Sequence, residues 1–215
     1  MTQLASPKTR EFSLNDAEYR SIRDRIYDLA GIKLGDQKQD LVYSRLTKRL
    51  RARALPDFAS YLRLLDGPDG QQEIELMLNS LTTNLTSFFR EGHHFDHLKA
   101  VALQASLERQ QVYERHLRIW SSACSTGEEP YSIAMTLLQS QVDLSRVDAR
   151  ILATDINTDV LGRASQGRYG APVIAKCPAS CQAYFRTFPD GSGEVKAEVK
   201  KLITFRRLNL LGKGR

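Results

Sequence analysis

The chain has 215 residues, 41% of them hydrophobic and 26% charged, with 31 lysines and arginines against 25 aspartates and glutamates for a net charge of +6. That length and apolar share suffice for one large domain or two smaller ones and exclude a fibrous or disordered chain. No stretch reaches the roughly 18 uninterrupted apolar residues of a membrane span, and the opening MTQLASPKTR has no apolar signal core, so a cytoplasmic protein without membrane insertion is expected.

The first third reads as helices with short connections. Ser13 with Asp16 three residues on predicts a helix start, Tyr19, Ile22, Ile26 and Leu29 recur at helical spacing, and Gly31 is the stop. A second helix runs through Leu41, Val42, Leu46 and Leu50. A third begins near Pro56 and Asp57 and carries Phe58, Tyr61, Leu62 and Leu65, and a fourth carries Ile74, Met77, Leu78 and Leu81. Together they predict a small helical bundle over residues 1–85.

Beyond Thr82-Thr83-Asn84 a long helix is expected between Glu91 and Gln110, and then the pattern changes. Leu117–Ala123 and Ala149–Ile156 are apolar runs of strand length separated by a helical segment, Glu128–Gln139, the order of a parallel α/β sheet over residues 86–215. Asp190-Gly191-Ser192-Gly193 is a turn, and Val195–Val199 with Leu202–Leu210 are expected as the arms of a small antiparallel hairpin, in a β subdomain at about residues 178–207.

Three segments have the composition of a ligand site. Ser121 to Ser132, SSACSTGEEPYS, joins the first strand to its helix with small residues that let a ligand approach the backbone at the carboxyl end of a strand. It lacks the glycines of a dinucleotide loop, and its paired glutamates would repel a pyrophosphate. They suit a ligand with positive charge or with hydroxyl and amine donors, unless Glu128 and Glu129 only favour the helix dipole. Asp155 closes the next strand, placed either to accept the hydroxyls of a ribose or to cap the following helix. TTNLTSFFRE, Thr82 to Glu91, packs hydroxyls, an amide, two aromatics and an arginine at the expected domain junction, with Phe88 and Phe89 assigned to the core.

No metal site is expected. Cys124, Cys177 and Cys181 lack the partners of a zinc set and read as reduced structural thiols, and His93, His94 and His97 have no spaced third ligand.

TTNLTSFFRE, SSACSTGEEPYSIAM and ATDINTDVLGRA, in that order and spacing, resemble the consecutive motifs of the chemotaxis receptor methyltransferases, the CheR family, and LVYSRLTKRLRARAL resembles that family's basic helix. The resemblance implies a helical domain followed by a Rossmann-like methyltransferase domain with a small antiparallel β subdomain. It implies S-adenosylmethionine as cofactor, with S-adenosylhomocysteine as product, and glutamate side chains of methyl-accepting chemotaxis receptors as methyl acceptors. By matching positions, Asn84, Thr86, Arg90, Glu128, Asp155, Asn209 and Leu210 would line the cofactor site.

Family members continue past the Asn-Leu-Leu segment into further strands, whereas this chain stops at Gly212-Lys213-Gly214-Arg215. A truncated sheet is therefore expected, with the first strand as a bare edge or paired with a second copy, and a monomer when complete. The alternative function is an inactive module that binds cofactor or receptor.

Methyl transfer from a sulfonium to a carboxylate needs no general base, because the acceptor is already ionised near neutrality, with a free pKa of about 4.3. Arg90 is the expected positioning group for that carboxylate, unless it forms a surface ion pair with Glu91. Arg45, Arg49 and Arg53 at i+4 spacing, with Lys48 beside them, are expected to dock the acidic receptor helices, the other reading being a solvated face. Nucleic acid is not expected, since no aromatics interleave the stripe for base stacking.

Overall fold

The computed structural model describes residues 10–108, 116–140, 144 and 147–212. The chain forms two compact units, one running to Thr82 and taking in the segment from Leu210, the other spanning Thr83–Asn209.

The first unit holds α1 (Asp16–Ala30), a 3-10 turn (Asp36–Lys38), α2 (Gln39–Ala52), α3 (Phe58–Asp66) and α4 (Gly70–Leu81). Asn15, not Ser13, caps α1. Its side chain accepts from the Glu18 N–H and its own N–H donates to Glu18, each at 2.9 Å, a reciprocal box that Asp16, at the first helical position, is two residues too early to form. Gly31 ends α1 at φ 67°, the left-handed geometry that glycine adopts without strain. Ile22, Ile26, Val42, Leu46, Leu50, Phe58, Tyr61 and Met77 are all fully buried, so the apolar stripes of the four helices meet in one core.

That core also buries a carboxylate, which corrects the reading of the basic stripe. Glu73 on α4 has no exposed surface, and Arg49 grips it with two hydrogen bonds of 2.8 Å. Arg53 adds a third at 2.7 Å, and the Tyr61 hydroxyl donates a fourth at 3.0 Å. Arg45 donates to the Leu81 and Thr82 carbonyls, both at 2.7 Å, where α4 runs out of intrahelical donors. A lone carboxylate in an apolar interior is costly, so the arginines turn inward to compensate it. Of the expected docking residues Lys48 faces solvent, and Arg53 keeps a third of its side chain exposed.

The second unit begins with α5 (Gly92–Glu108), and the expected last turn of this helix, at 109–110, lies outside the described residues. β1 (His116–Ser121), α6 (Glu128–Gln139), β2 (Asp148–Asp155), α7 (Thr158–Gln166) and β3 (Arg168–Tyr169) follow. After two single turns, α8 (Ala171–Ile174) and α9 (Ala179–Gln182), come β4 (Phe185–Thr187), β5 (Gly193–Val195), α10 (Ala197–Lys200) and β6 (Ile203–Arg207). β1, β2 and β6 form a parallel sheet with β2 in the middle, in a register that pairs Ile119 with Ile151 and Leu152 with Thr204. Tyr131, Met135 and Leu137 of α6 share a core with Ala149 and Ile151 of β2. Among the described residues β1 pairs with β2 alone and stands at the sheet edge, the first of the two arrangements expected for it.

The antiparallel hairpin is present with different arms. β4 and β5 flank the turn, and β3 adds to β5 on the other side. Ala197–Lys200 is a helical turn that buries Val199, and the run from Leu202 supplies β6, the parallel neighbour of β2. Its alternating Ile203 and Phe205 pack against the main core, a larger apolar surface than a three-residue arm could offer. Within the described residues no helix is long and apolar enough to cross a membrane.

Candidate functional site

The site grows from the carboxyl ends of β1 and β2. Beyond Ser121 the chain stays tied to β2 through a Cys124 N–H bond to the Thr154 carbonyl at 2.9 Å, then bends through two left-handed residues, Ser125 at φ 50° and Gly127 at φ 95°. A Cβ at Gly127 would lie 2.9 Å from that of Ala164, so the position admits only glycine. This tight path presents the Ser125 N–H to Oδ2 of Asp155 at 2.8 Å, while the Asn157 N–H donates to Oδ1 at 2.9 Å. Asp155 thus closes the loop. The cap of α7 is Asn157, whose side chain accepts from Asp159 and Val160, which removes the capping alternative for Asp155. A carboxylate has about four acceptor positions, so two remain for a ligand.

The paired glutamates have different surroundings. Glu129 is exposed and accepts from the Ser121 hydroxyl at 2.7 Å, whereas Glu128 is buried and Oε2 accepts from the Thr126 hydroxyl at 2.6 Å. Both sit in the first turn of α6, where the helix dipole favours them.

The 82–91 segment is held to this loop by side chains. The Ser125 hydroxyl donates to the Asn84 carbonyl at 3.3 Å, and Ser132 accepts from the Phe89 N–H at 3.0 Å while donating to the Glu128 carbonyl at 2.6 Å. Phe88 is buried edge-on against Tyr169 and Phe185, as expected of a core residue, and Phe89 meets Phe95. Arg90 is exposed and donates to the Leu85 carbonyl at 3.1 Å, and it pairs with no carboxylate among the described residues. Thr86 is half-buried on the same segment. The Leu208 N–H donates to the Asp155 carbonyl at 3.0 Å, which sets Asn209 beside the end of β2, while Leu210 groups with the first unit.

Asn84, Glu128 and Asp155 are thereby bonded to one loop, and Leu208 ties the chain just before Asn209 to the end of β2. Ser125, Thr126, Ser132 and Tyr169 are the residues that sequence reasoning passed over. The small hydroxyls stood inside the segment singled out for close approach, but their partners are distant in sequence.

Two buried carboxylates, 6% and 8% exposed, with no cation paired to either among the described residues, make the loop strongly acceptor-rich. That acceptor set fits S-adenosylmethionine, which brings a sulfonium, an ammonium and ribose hydroxyls, and it disfavours a phosphate ligand. Cys124 at the base of the loop is no competing nucleophile, since burial first and the neighbouring Asp155 charge second push its thiol up to about 12. Among the described residues no cluster of His, Cys, Asp or Glu could hold a metal.

Residues 17–82 match the CheR methyltransferase all-alpha domain, and residues 84–215 match the CheR methyltransferase SAM binding domain. The chain is 45% identical over 210 residues to chemotaxis protein methyltransferase 2 of Pseudomonas aeruginosa, covering 94% of this chain and 71% of that protein. It is 43% identical over 218 residues to the chemotaxis protein methyltransferase of Escherichia coli, covering 99% and 72%, and 40% identical over 216 residues to that of Salmonella typhimurium, also covering 99% and 72%. With both domains matched in order around an acceptor-lined loop suited to a sulfonium cofactor, this chain belongs to the CheR methyltransferase family.

Proposed function

We propose that this protein uses S-adenosylmethionine to form methyl esters on glutamate side chains of chemotaxis receptors, releasing S-adenosylhomocysteine. The observation that carries the reading is the pair of buried carboxylates, Glu128 at the start of α6 and Asp155 at the end of β2, with no cation paired to either among the described residues, in a CheR SAM binding domain. The cofactor supplies an electrophilic methyl on a positively charged sulfur. Asp155 would accept ribose hydroxyls through the lone pairs that Ser125 and Asn157 leave open, and Glu128 would face positive charge. Asn84, Thr86 and Asn209 complete the proposed lining.

Arg90 would hold the acceptor glutamate. One of its nitrogens is engaged by the Leu85 carbonyl, and the guanidinium retains other N–H groups for a two-point grip on a carboxylate. Holding an ionised carboxylate in line with the methyl, out of water, is the main work left to the protein, because no proton has to move first. In this reading the protein acts in the cytoplasm as a monomer, and Lys48 with the exposed part of Arg53 meets the acidic receptor helix.

The test is a methylation assay on receptor-containing membranes with methyl-labelled cofactor. Base-labile label on the receptor is the expected result, and cofactor binding without any transfer to receptor would overturn the reading.

A further inference from the structure

We infer that Thr126 is a positioning residue: its hydroxyl fixes the rotamer of Glu128 so that one carboxylate oxygen, Oε1, is presented to the positively charged part of the cofactor. This deepens the proposed function and rests on Glu128 lying in the cofactor site. Thr126 Oγ1 donates to Glu128 Oε2 at 2.6 Å, at the short end of the hydroxyl bond range. No described residue donates to Oε1, yet no fully buried side-chain oxygen among the described residues lacks a partner, so Oε1 keeps some accessible surface. One oxygen is anchored and the other is left for a ligand.

The anchor itself is held. The Tyr169 hydroxyl donates to the Thr126 carbonyl at 2.7 Å, from a ring wedged edge-on against Phe88 and Tyr131. Burial pushes the Tyr169 phenol far up, so it stays a donor across the working pH range. Thr126 is β-branched and therefore stiff at χ1, and Gly127 at φ 95° turns the chain so that side chains two residues apart meet. A glutamate without such a brace would share its carboxylate among rotamers, and each rotamer lost on binding would weaken affinity.

Calorimetry with S-adenosylhomocysteine on the full chain tests this with Thr126→Val, Thr126→Ser, Glu128→Gln and the Val/Gln double variant. Thr126→Val, which keeps shape and removes the donor, is expected to raise Kd roughly tenfold, the scale of a hydrogen bond to a charged group. Thr126→Ser is expected to restore wild-type affinity. The double variant is expected to bind no more weakly than Glu128→Gln alone, because the hydroxyl acts only through that carboxylate. Additive losses in this cycle, or a Ser variant as weak as Val, would overturn the inference. Weakening by Glu128→Gln with wild-type affinity in Thr126→Val would also overturn it while leaving the proposed site intact. Unchanged affinity in Glu128→Gln would instead remove Glu128 from the site and the inference with it. If circular dichroism shows Thr126→Val unfolded, Thr126→Ala carries the same cycle to the same outcomes.

Discussion

The backbone N–H of Ser125 donates to the carboxylate of Asp155 at 2.8 Å across thirty residues of sequence, and that one bond joins the ends of the two strands that frame the site. A side chain proposed to bind ribose is therefore also a structural acceptor.

Asp155→Ala should accordingly do two things. Affinity for S-adenosylhomocysteine should fall by about 1.5–3 kcal/mol, the scale of hydrogen bonds to a charged acceptor. Thermal stability should fall as well, because the Ser125 and Asn157 N–H groups lose their partner. Calorimetry and a thermal melt on the same sample separate the two effects. Full affinity in a folded variant would remove Asp155 from the cofactor site.

Glu73→Gln should destabilise the helical unit by about 3 kcal/mol at pH 7, the lower end for breaking a buried ion pair, since Arg49 and Arg53 are partly exposed. The effect should depend on pH. Burial raises the Glu73 pKa, but the hydrogen bonds from Arg49 and Arg53 outweigh it and hold the carboxyl below its ordinary 4.5. A depressed folded-state pKa contributes stability that is present above the unfolded value and lost as pH falls through the folded one. The gap between wild type and variant in urea unfolding should thus be widest near neutrality and narrow below about pH 4.

Arg90→Ala should lower turnover by about 3 kcal/mol, as for other oriented electrostatic contacts. Arg90→Lys should fail to restore it, because an ammonium lacks the planar two-point geometry. A steady-state methylation assay at saturating cofactor reads both, and a normal rate in the alanine variant would leave Arg90 only its bond to Leu85.

On α2, Lys48→Glu should weaken receptor methylation while leaving cofactor affinity and melting temperature unchanged, since Lys48 is exposed. Arg49→Ala should instead lower the melting temperature, because it removes two of the four hydrogen bonds that hold the buried Glu73. Pull-down on receptor membranes and thermal melts distinguish the two.

The helices were legible because each buries a stripe whose spacing is set by the helix itself. Ile22 and Ile26, or Leu46 and Leu50, announce their face without reference to any other element. Glu128 and Asp155 could be picked out as candidates because their place beside small residues, after an expected strand, is local in sequence. The inward turn of Arg49 and Arg53 was not legible, because it depends on Glu73, twenty or more residues further on across a helix pair. The arms of the hairpin were misassigned for the same cause. Strand length and alternation are local, whereas the preference of Ile203–Arg207 for β2 is a matter of which surface is available.

By itself the sequence determined the helices of the first unit, the strand, helix, strand order of β1, α6 and β2, the two-part organisation, the family and its cofactor, since these rest on periodicity and on contiguous motifs. Tertiary structure decided which polar groups face each other. It turned Arg49 and Arg53 onto a buried glutamate, gave Asp155 two backbone donors, separated the partners of Glu128 and Glu129, and bonded Thr126 to Glu128. The physical reason is that hydrogen bonds form only within about 3 Å and with directed geometry, so their partners are fixed by the packing of the whole chain and not by neighbours in sequence.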